Sequence, residues 1–119
     1  MSPQDRVRAG LLFDVYGPLL TDHQQDIWQL YYEEDWSLGE IGADRGVSRA
    51  AVHDLLERTQ RALEDFERRL GLLAQHQRRH EHWQEVMGMV ARLSSQTGEV
   101  RALGETLKRW AEEEGLTDV

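Results

Sequence analysis

Six side chains between positions 48 and 61 could meet a nucleic acid: Ser48, Arg49, Ala50, His53, Arg58 and Arg61. An arginine fork matches guanine or a phosphate, and a serine at a helix start can hold phosphate beside free backbone N–H groups. Arg58 and Arg61 lie further along, placed for the sugar-phosphate backbone. Ala50 offers only a methyl contact, while Asp54 and Glu57 in the same stretch would repel phosphate. The plainer alternative is a solvated helix face on which the arginines pair with Asp54, Glu57 and Asp65 at one-turn spacing.

A second cluster, His76, His80 and His82, raises metal binding, because His76 and His80 stand four apart on one helical face. The stretch around His80-Glu81-His82 is not HExxH, a third ligand would have to come from elsewhere, and Arg78 and Arg79 would repel a cation. No metal and no cofactor is therefore expected. The sequence has no GxSxG, no glycine-rich phosphate loop and no cysteine, and no carboxylate pair stands out as a buried acid–base couple. It does not read as an enzyme.

The candidate residues need a scaffold, and the flanking sequence supplies a helix-turn-helix. Ser37 opens a capping box with Glu40, so a short helix starts at Leu38 and stops at Gly46. Ser48 caps the next helix. The expected core of the motif is Ile41, Gly42, Gly46, Val47, Val52 and Leu55. Gly42 lets the two helices touch, Gly46 makes the turn, and Val52 and Leu55 anchor the second helix on the first. That second helix would present its N-terminal, outward residues to a groove.

Around the motif the spacing predicts further helices. Ser2 and Pro3 start one that runs to Tyr16, with Val7, Leu11, Leu12 and Val15 as its buried stripe and Gly17-Pro18 as its stop. Thr21 to Gln24 is a capping box for another, with Ile27, Trp28, Leu30 and Tyr31 inward, and the Glu33-Glu34-Asp35 run reads as a solvated turn. From Val52 through Leu55 or Leu56, Thr59, Leu63, Phe66, Leu70 and Leu73, apolar spacings of three and four describe a long seam. After polar residues 75–79 the spacing resumes at Trp83, Val86 or Met87, Val90 and Leu93. A turn over Ser94-Ser95-Gln96-Thr97-Gly98 then precedes a last helix on Val100, Leu103, Leu107 and Trp110, with a frayed acidic tail. The four tryptophans, at 28, 36, 83 and 110, read as packing residues rather than a base-stacking platform. The expected class is all-α: a helix-turn-helix head similar to sigma-factor region 4, with long heptad-patterned helices. The expected division is 1–73 for the head with its long fourth helix. Residues 74–119 would be a helical extension that packs on the head or on a dimer partner.

Composition narrows the partners. The 119 residues carry a net charge of −8, which opposes strong non-specific nucleic-acid binding. Residues 1–36 hold seven acids and two arginines (−5), residues 37–73 seven acids and six arginines (−1), and residues 74–119 eight acids and six bases (−2). The motif therefore falls in the least acidic part of the chain. The N-terminus lacks the apolar core of a signal peptide, and no apolar run approaches the ~20 residues of a membrane span. A cytoplasmic location without membrane insertion is expected.

Four blocks carry a family resemblance: LTDHQ at 20–24, LYYEEDWSLGEIG at 30–42, GVSRAAVHD at 46–54 and RTQRALEDFERRL at 58–70. Together they resemble the YlxM-like family of bacterial proteins. The sequence departs from that pattern at Ala50 and His53, where the family more often has a polar and an aromatic side chain. The resemblance implies a gene neighbourhood shared with the signal recognition particle GTPase Ffh and its receptor FtsY. It thus implies an accessory or regulator of co-translational targeting. Its partners would be the particle's RNA or DNA, or the two GTPases, and the long seams suggest a homodimer. The alternatives are a DNA-binding transcriptional regulator and a purely protein-interacting helical module.

Overall fold

Each early helix begins where a hydroxyl side chain can replace a missing backbone partner. In the computed structural model, which describes residues 2–93 and 98–116, helix α1 spans Pro3–Tyr16, α2 Asp22–Tyr32, α3 Leu38–Arg45 and α4 Arg49–Leu70. Ser2, Thr21 and Ser37 each close a full capping box, with Asp5, Gln24 and Glu40 respectively. Ser48 caps α4 by accepting from the Ala51 N–H at 3.0 Å. Helices α5, Leu72–Leu93, and α6, Gly98–Glu113, complete the chain, and there is no strand among the described residues.

The helix ends are equally local. Gly17-Pro18 converts α1 into a 3-10 turn over Gly17–Leu19, because proline cannot continue the α-helical ladder. Helix α2 ends in the acidic run, which is an exposed turn. Asp35 takes φ +58, Trp36 N–H returns to the Leu30 carbonyl at 2.9 Å, and Asp35 meets Arg6 at 3.3 Å. Gly46, at φ +72, ends α3 in the left-handed conformation that glycine adopts without a Cβ penalty.

Gly71, at φ +64, does the same for α4 and overturns the expectation of one seam running to Leu73. Leu70 is consequently exposed, while Leu73 is buried from the following helix. Two side chains secure this corner. The Tyr16 hydroxyl donates to Glu67 and accepts from the Leu72 N–H at 3.0 Å, and a Glu67 oxygen accepts from the Leu73 N–H at 3.0 Å. The first two amides of α5 are thus satisfied by side chains from α1 and α4. Burial, and then the bond to Glu67, pushes the Tyr16 phenol above its ordinary pKa, so it stays protonated as a donor.

The chain divides into two compact units, Met1–Leu73 and Ala74–Val119. In the first, α1, α2 and α3 all pack on α4. The core is Leu12, Tyr16, Ile27, Trp28, Ile41, Val52 and Leu63, with Ala9 and Leu56 beside them. Phe13 stacks on Trp28 at 5.6 Å, and Tyr16 meets Phe66 at 5.9 Å. Thr59 sits in this apolar seam because its hydroxyl donates to the Leu55 carbonyl at 2.8 Å. Helix α1 faces the core with Leu11, Leu12 and Val15, as its spacing suggests, but not with Val7. Ala9, Leu12 and Tyr16 are buried, Leu11 and Val15 are half-buried, and Val7 is 63% exposed. With α1 in that rotation, Arg8 makes a two-point contact with Glu64 of α4, at 2.8 and 2.9 Å. That guanidinium also holds the Glu64 carboxyl below the usual carboxylate range.

The second unit is built from α5 beyond Leu73 and from α6. Helix α5 runs unbroken through polar residues 75–79, since glutamine, histidine and arginine carry no helix-breaking feature. Trp83, Ala111 and Leu116 are buried there, with Met87 and Leu107 packed against them. Gly104 is buried against Val90, whose Cγ1 would stand 3.0 Å from an added Cβ. Leu103 and Trp110, expected inside, are exposed instead, as is Leu93, and of the alternatives Val86 and Met87 it is Met87 that packs. After α6 the chain folds back through Gly115 to Leu116. Its N–H returns to the Ala111 carbonyl at 2.9 Å, Gly115 is at φ +71, and His80 Nδ1 donates to the Leu116 carbonyl. The expected turn over Ser94–Thr97 lies outside the described residues.

Candidate nucleic-acid interface

Helix α4 starts in an exposed corner. Ser48, Arg49, Ala50 and His53 are all exposed, and no acidic residue falls in the first turn of the helix. A cation there stands at the positive end of the helix dipole, which costs stability and gains nothing from the fold. Among the described residues, Arg49 and Arg61 make no ion pair, whereas Arg58 Nε meets Asp54 at 3.0 Å. His53 Nε2 lies 3.7 Å from Glu57, and Asp65 is taken by Arg68 at 2.8 Å and Arg69 at 3.2 Å. The solvated-face alternative thus accounts for Arg58 but not for Arg49 or Arg61.

The six candidate residues do not form one patch. Arg49, Ala50 and His53 surround Leu38, the first residue of α3. Arg61 is twelve residues beyond Arg49, roughly 18 Å along the axis at ~1.5 Å per residue. Arg58 points about 140° away from His53, at ~100° per residue, and lines a separate groove with Arg61, Asp65 and Arg68.

Ile41 and Val52 are buried, and Gly42 is pressed so closely on the turn that an added Cβ would stand 2.7 Å from the Val47 carbonyl oxygen. The Val47 N–H also bonds the Gly42 carbonyl at 2.9 Å. Val47 itself departs from expectation, being 45% exposed. Its backbone is what the motif uses, and its side chain projects from the turn. Leu55 is only half-buried, and Leu56 takes the core position.

The spacing argument gave Tyr31, Tyr32, Leu38 and Gln60 no place in a site. With His53, Leu56 and Glu57 they line a cleft of about 320 Å³ that adjoins the start of α4. Tyr31 sits on the same helical stripe as Ile27, so periodicity alone assigns it to the core; the packing of α2 beside α3 leaves it half-exposed. No local signal distinguishes those two outcomes.

Of the three histidines, His80 has hydrogen-bond partners of its own. His80 faces the Leu116 carbonyl through Nδ1 and Gln84 through Nε2 at 3.4 Å. No group of three metal-ligating side chains converges among the described residues. No helix there is long and apolar enough to cross a membrane.

Taken with the capped turn and the exposed second helix, this architecture defines an all-helical helix-turn-helix protein. Residues 4–101 match the family UPF0122, described as "Putative helix-turn-helix protein, YlxM / p13 like". The chain belongs to that family. A UPF0122 protein of Symbiobacterium thermophilum is 55% identical over 76 residues, covering 64% of this chain and 71% of the relative. One from Lacticaseibacillus casei is 46% identical over 81 residues, covering 68% and 72%. Another from Halalkalibacterium halodurans is 42% identical over 101 residues, covering 85% and 92%.

Proposed function

We propose that this protein is a non-enzymatic, cytoplasmic accessory of the signal recognition particle pathway that binds the particle's RNA through the first turns of α4. The observation that carries the nucleic-acid part is Arg49. It is an exposed arginine without an ion pair among the described residues, beside a serine-capped helix start that holds no acid. The targeting part rests on the gene neighbourhood that family resemblance implies. In this reading Ffh and FtsY carry out the GTP chemistry, and the protein shifts their populations or their access to one another.

Fluorescence anisotropy against signal recognition particle RNA and against random duplex DNA, across a salt series, tests the reading. Tight binding to the RNA is expected, with a negative log-log salt slope that shrinks by about one in Arg49→Glu. Preferential binding to duplex DNA would instead support a transcriptional regulator, with paired recognition helices ~34 Å apart. No binding to either at low salt would leave the helix-turn-helix as a protein-contact fold, with Ffh and FtsY as the partners to try.

Homodimerisation belongs to the same proposal. The second unit buries few large apolar side chains and leaves Val86, Met89, Leu93, Leu103 and Trp110 between 43% and 53% exposed, apolar surface that a second copy could cover. Sedimentation at micromolar concentration is expected to give twice the 13.8 kDa chain mass, and a monomer would remove the dimer.

A further inference from the structure

The cleft beside α4 has walls unlike those of a groove built for a duplex. Tyr31 and Tyr32 meet edge to face at 5.0 Å on one side, and His53, Glu57 and Gln60 line the other, with Leu38 at one end. Arg6 lies over the two tyrosine rings, 5.8 and 5.0 Å from their centroids, and adds a positive charge beside the cleft. A cavity of ~150 Å³ accepts a benzene ring, so about 320 Å³ has room for a purine. Along α4, His53, Glu57 and Gln60 fall within about 60° of one another, and each is about one turn from the next.

Charge chemistry decides what such a cleft can hold. A paired duplex laid on α4 brings its phosphates to Asp54 and Glu57, which repel them. An unstacked base brings its Watson–Crick edge instead, and single-stranded RNA is recognised through bases splayed onto aromatic side chains. A carboxylate accepts two hydrogen bonds from the adjacent N1–H and N2–H of guanine. Uracil offers a single N–H between two carbonyls, which a carboxylate repels. The Gln60 amide, one turn beyond Glu57, can donate to guanine O6.

We propose that this cleft takes one unpaired guanine from a single-stranded segment of RNA, stacked on Tyr31 and read by Glu57 and Gln60. The inference rests on the nucleic-acid reading above and adds the base to it. The neighbouring cleft around Arg49 shares Leu38 and His53 with this one, so Arg49 is placed for the phosphate of the same strand. Glu57 thereby becomes a specificity residue on a helix where it would otherwise oppose binding.

The test uses the full chain and anisotropy with four probes: an RNA hairpin with a guanosine loop, the same hairpin with a uridine loop, the guanosine loop in DNA, and a blunt RNA duplex. Wild type is expected to favour the guanosine loop by roughly tenfold over the other three. Glu57→Gln, at an exposed position, is expected to bring guanosine and uridine loops within about twofold of each other. Tyr31→Ala is expected to weaken both loops about tenfold, the loss of one stacked base, and to leave the duplex unchanged. Thermal unfolding is followed in both variants, and if Tyr31→Ala is unfolded, Glu57→Gln decides alone. Equal wild-type binding to the two RNA loops, or a guanosine preference that survives Glu57→Gln, overturns the cleft while Arg49-dependent binding keeps the broader function. The same preference on the DNA hairpin overturns the assignment to RNA. Absence of binding to every RNA probe overturns both.

Discussion

Val52→Asp unfolds the first unit. Val52 is 1% exposed in the core that joins α4 to Ile41 of α3, and the structure offers it no partner for a carboxylate. Burying an unpaired charge costs several kcal/mol, comparable with the ~5–15 kcal/mol that holds a whole domain. The expected result is loss of the near-ultraviolet circular dichroism of Trp28, which is stacked against Phe13 and tilted on Tyr32 at 4.2 Å. Val47→Asp is the control. At 45% exposure it should change stability by no more than about 0.5 kcal/mol. Equal stabilities for the two variants would mean that the register of α4 on α3 is wrong.

Gly42→Ala is the second large effect, and its sign is opposite to the one helix propensity gives. Alanine is favoured over glycine inside a helix by about 0.8–1 kcal/mol. At Gly42, however, the new methyl would stand 2.7 Å from the Val47 carbonyl oxygen and 3.4 Å from the Arg49 nitrogen, both backbone atoms that cannot rotate away. Overpacking of this kind costs typically 1–3 kcal/mol, and rigid backbone puts it at the upper end. A net loss of about 2 kcal/mol is expected, or roughly 10 °C in Tm for a unit of this size. Gly10→Ala, inside α1 with nothing within 4 Å of the added methyl, should raise Tm by a few degrees. A thermal melt of the pair separates the two contributions. If Gly42→Ala is also stabilised, the two helices of the motif do not touch where the structure places them.

Gly42 has a functional side as well. The turn it compresses ends in Ser48, so moving Val47 outward would displace the start of α4, with Arg49 and the wall that His53 gives the cleft. A Gly42→Ala protein that still folds is therefore expected to bind RNA more weakly without having lost any contact residue.

What the sequence determined by itself was the chemistry of the helix boundaries in the first unit. Ser2 with Pro3, Thr21 with Gln24, Ser37 with Glu40, Gly46 and Ser48 each act on backbone groups two to four residues away, so their effect needs no tertiary information. The close approach at Gly42 was legible for the same reason, because only one short turn separates it from Val47. Gly71 was legible in principle. It lay inside an apolar spacing that continued to Leu73, and a three-four repeat persists across a break whenever the next helix resumes in phase.

The tertiary structure alone decided which apolar residues are inside. Val7, Val47, Leu103 and Trp110 have the same hydrophobicity wherever they point. Their exposure follows from how α1 is rotated against α4, how the turn projects, and how little the second unit has to cover them. The candidate cleft belongs to the same class of fact. Its residues come from positions 31 to 60 on three helices, and only the packing of α2 and α3 onto α4 brings tyrosine rings, a histidine, a carboxylate and an amide to one edge. Periodicity measures which side of a helix is apolar, whereas a site is a meeting of several helices, and that meeting is set by the long-range contacts of the core.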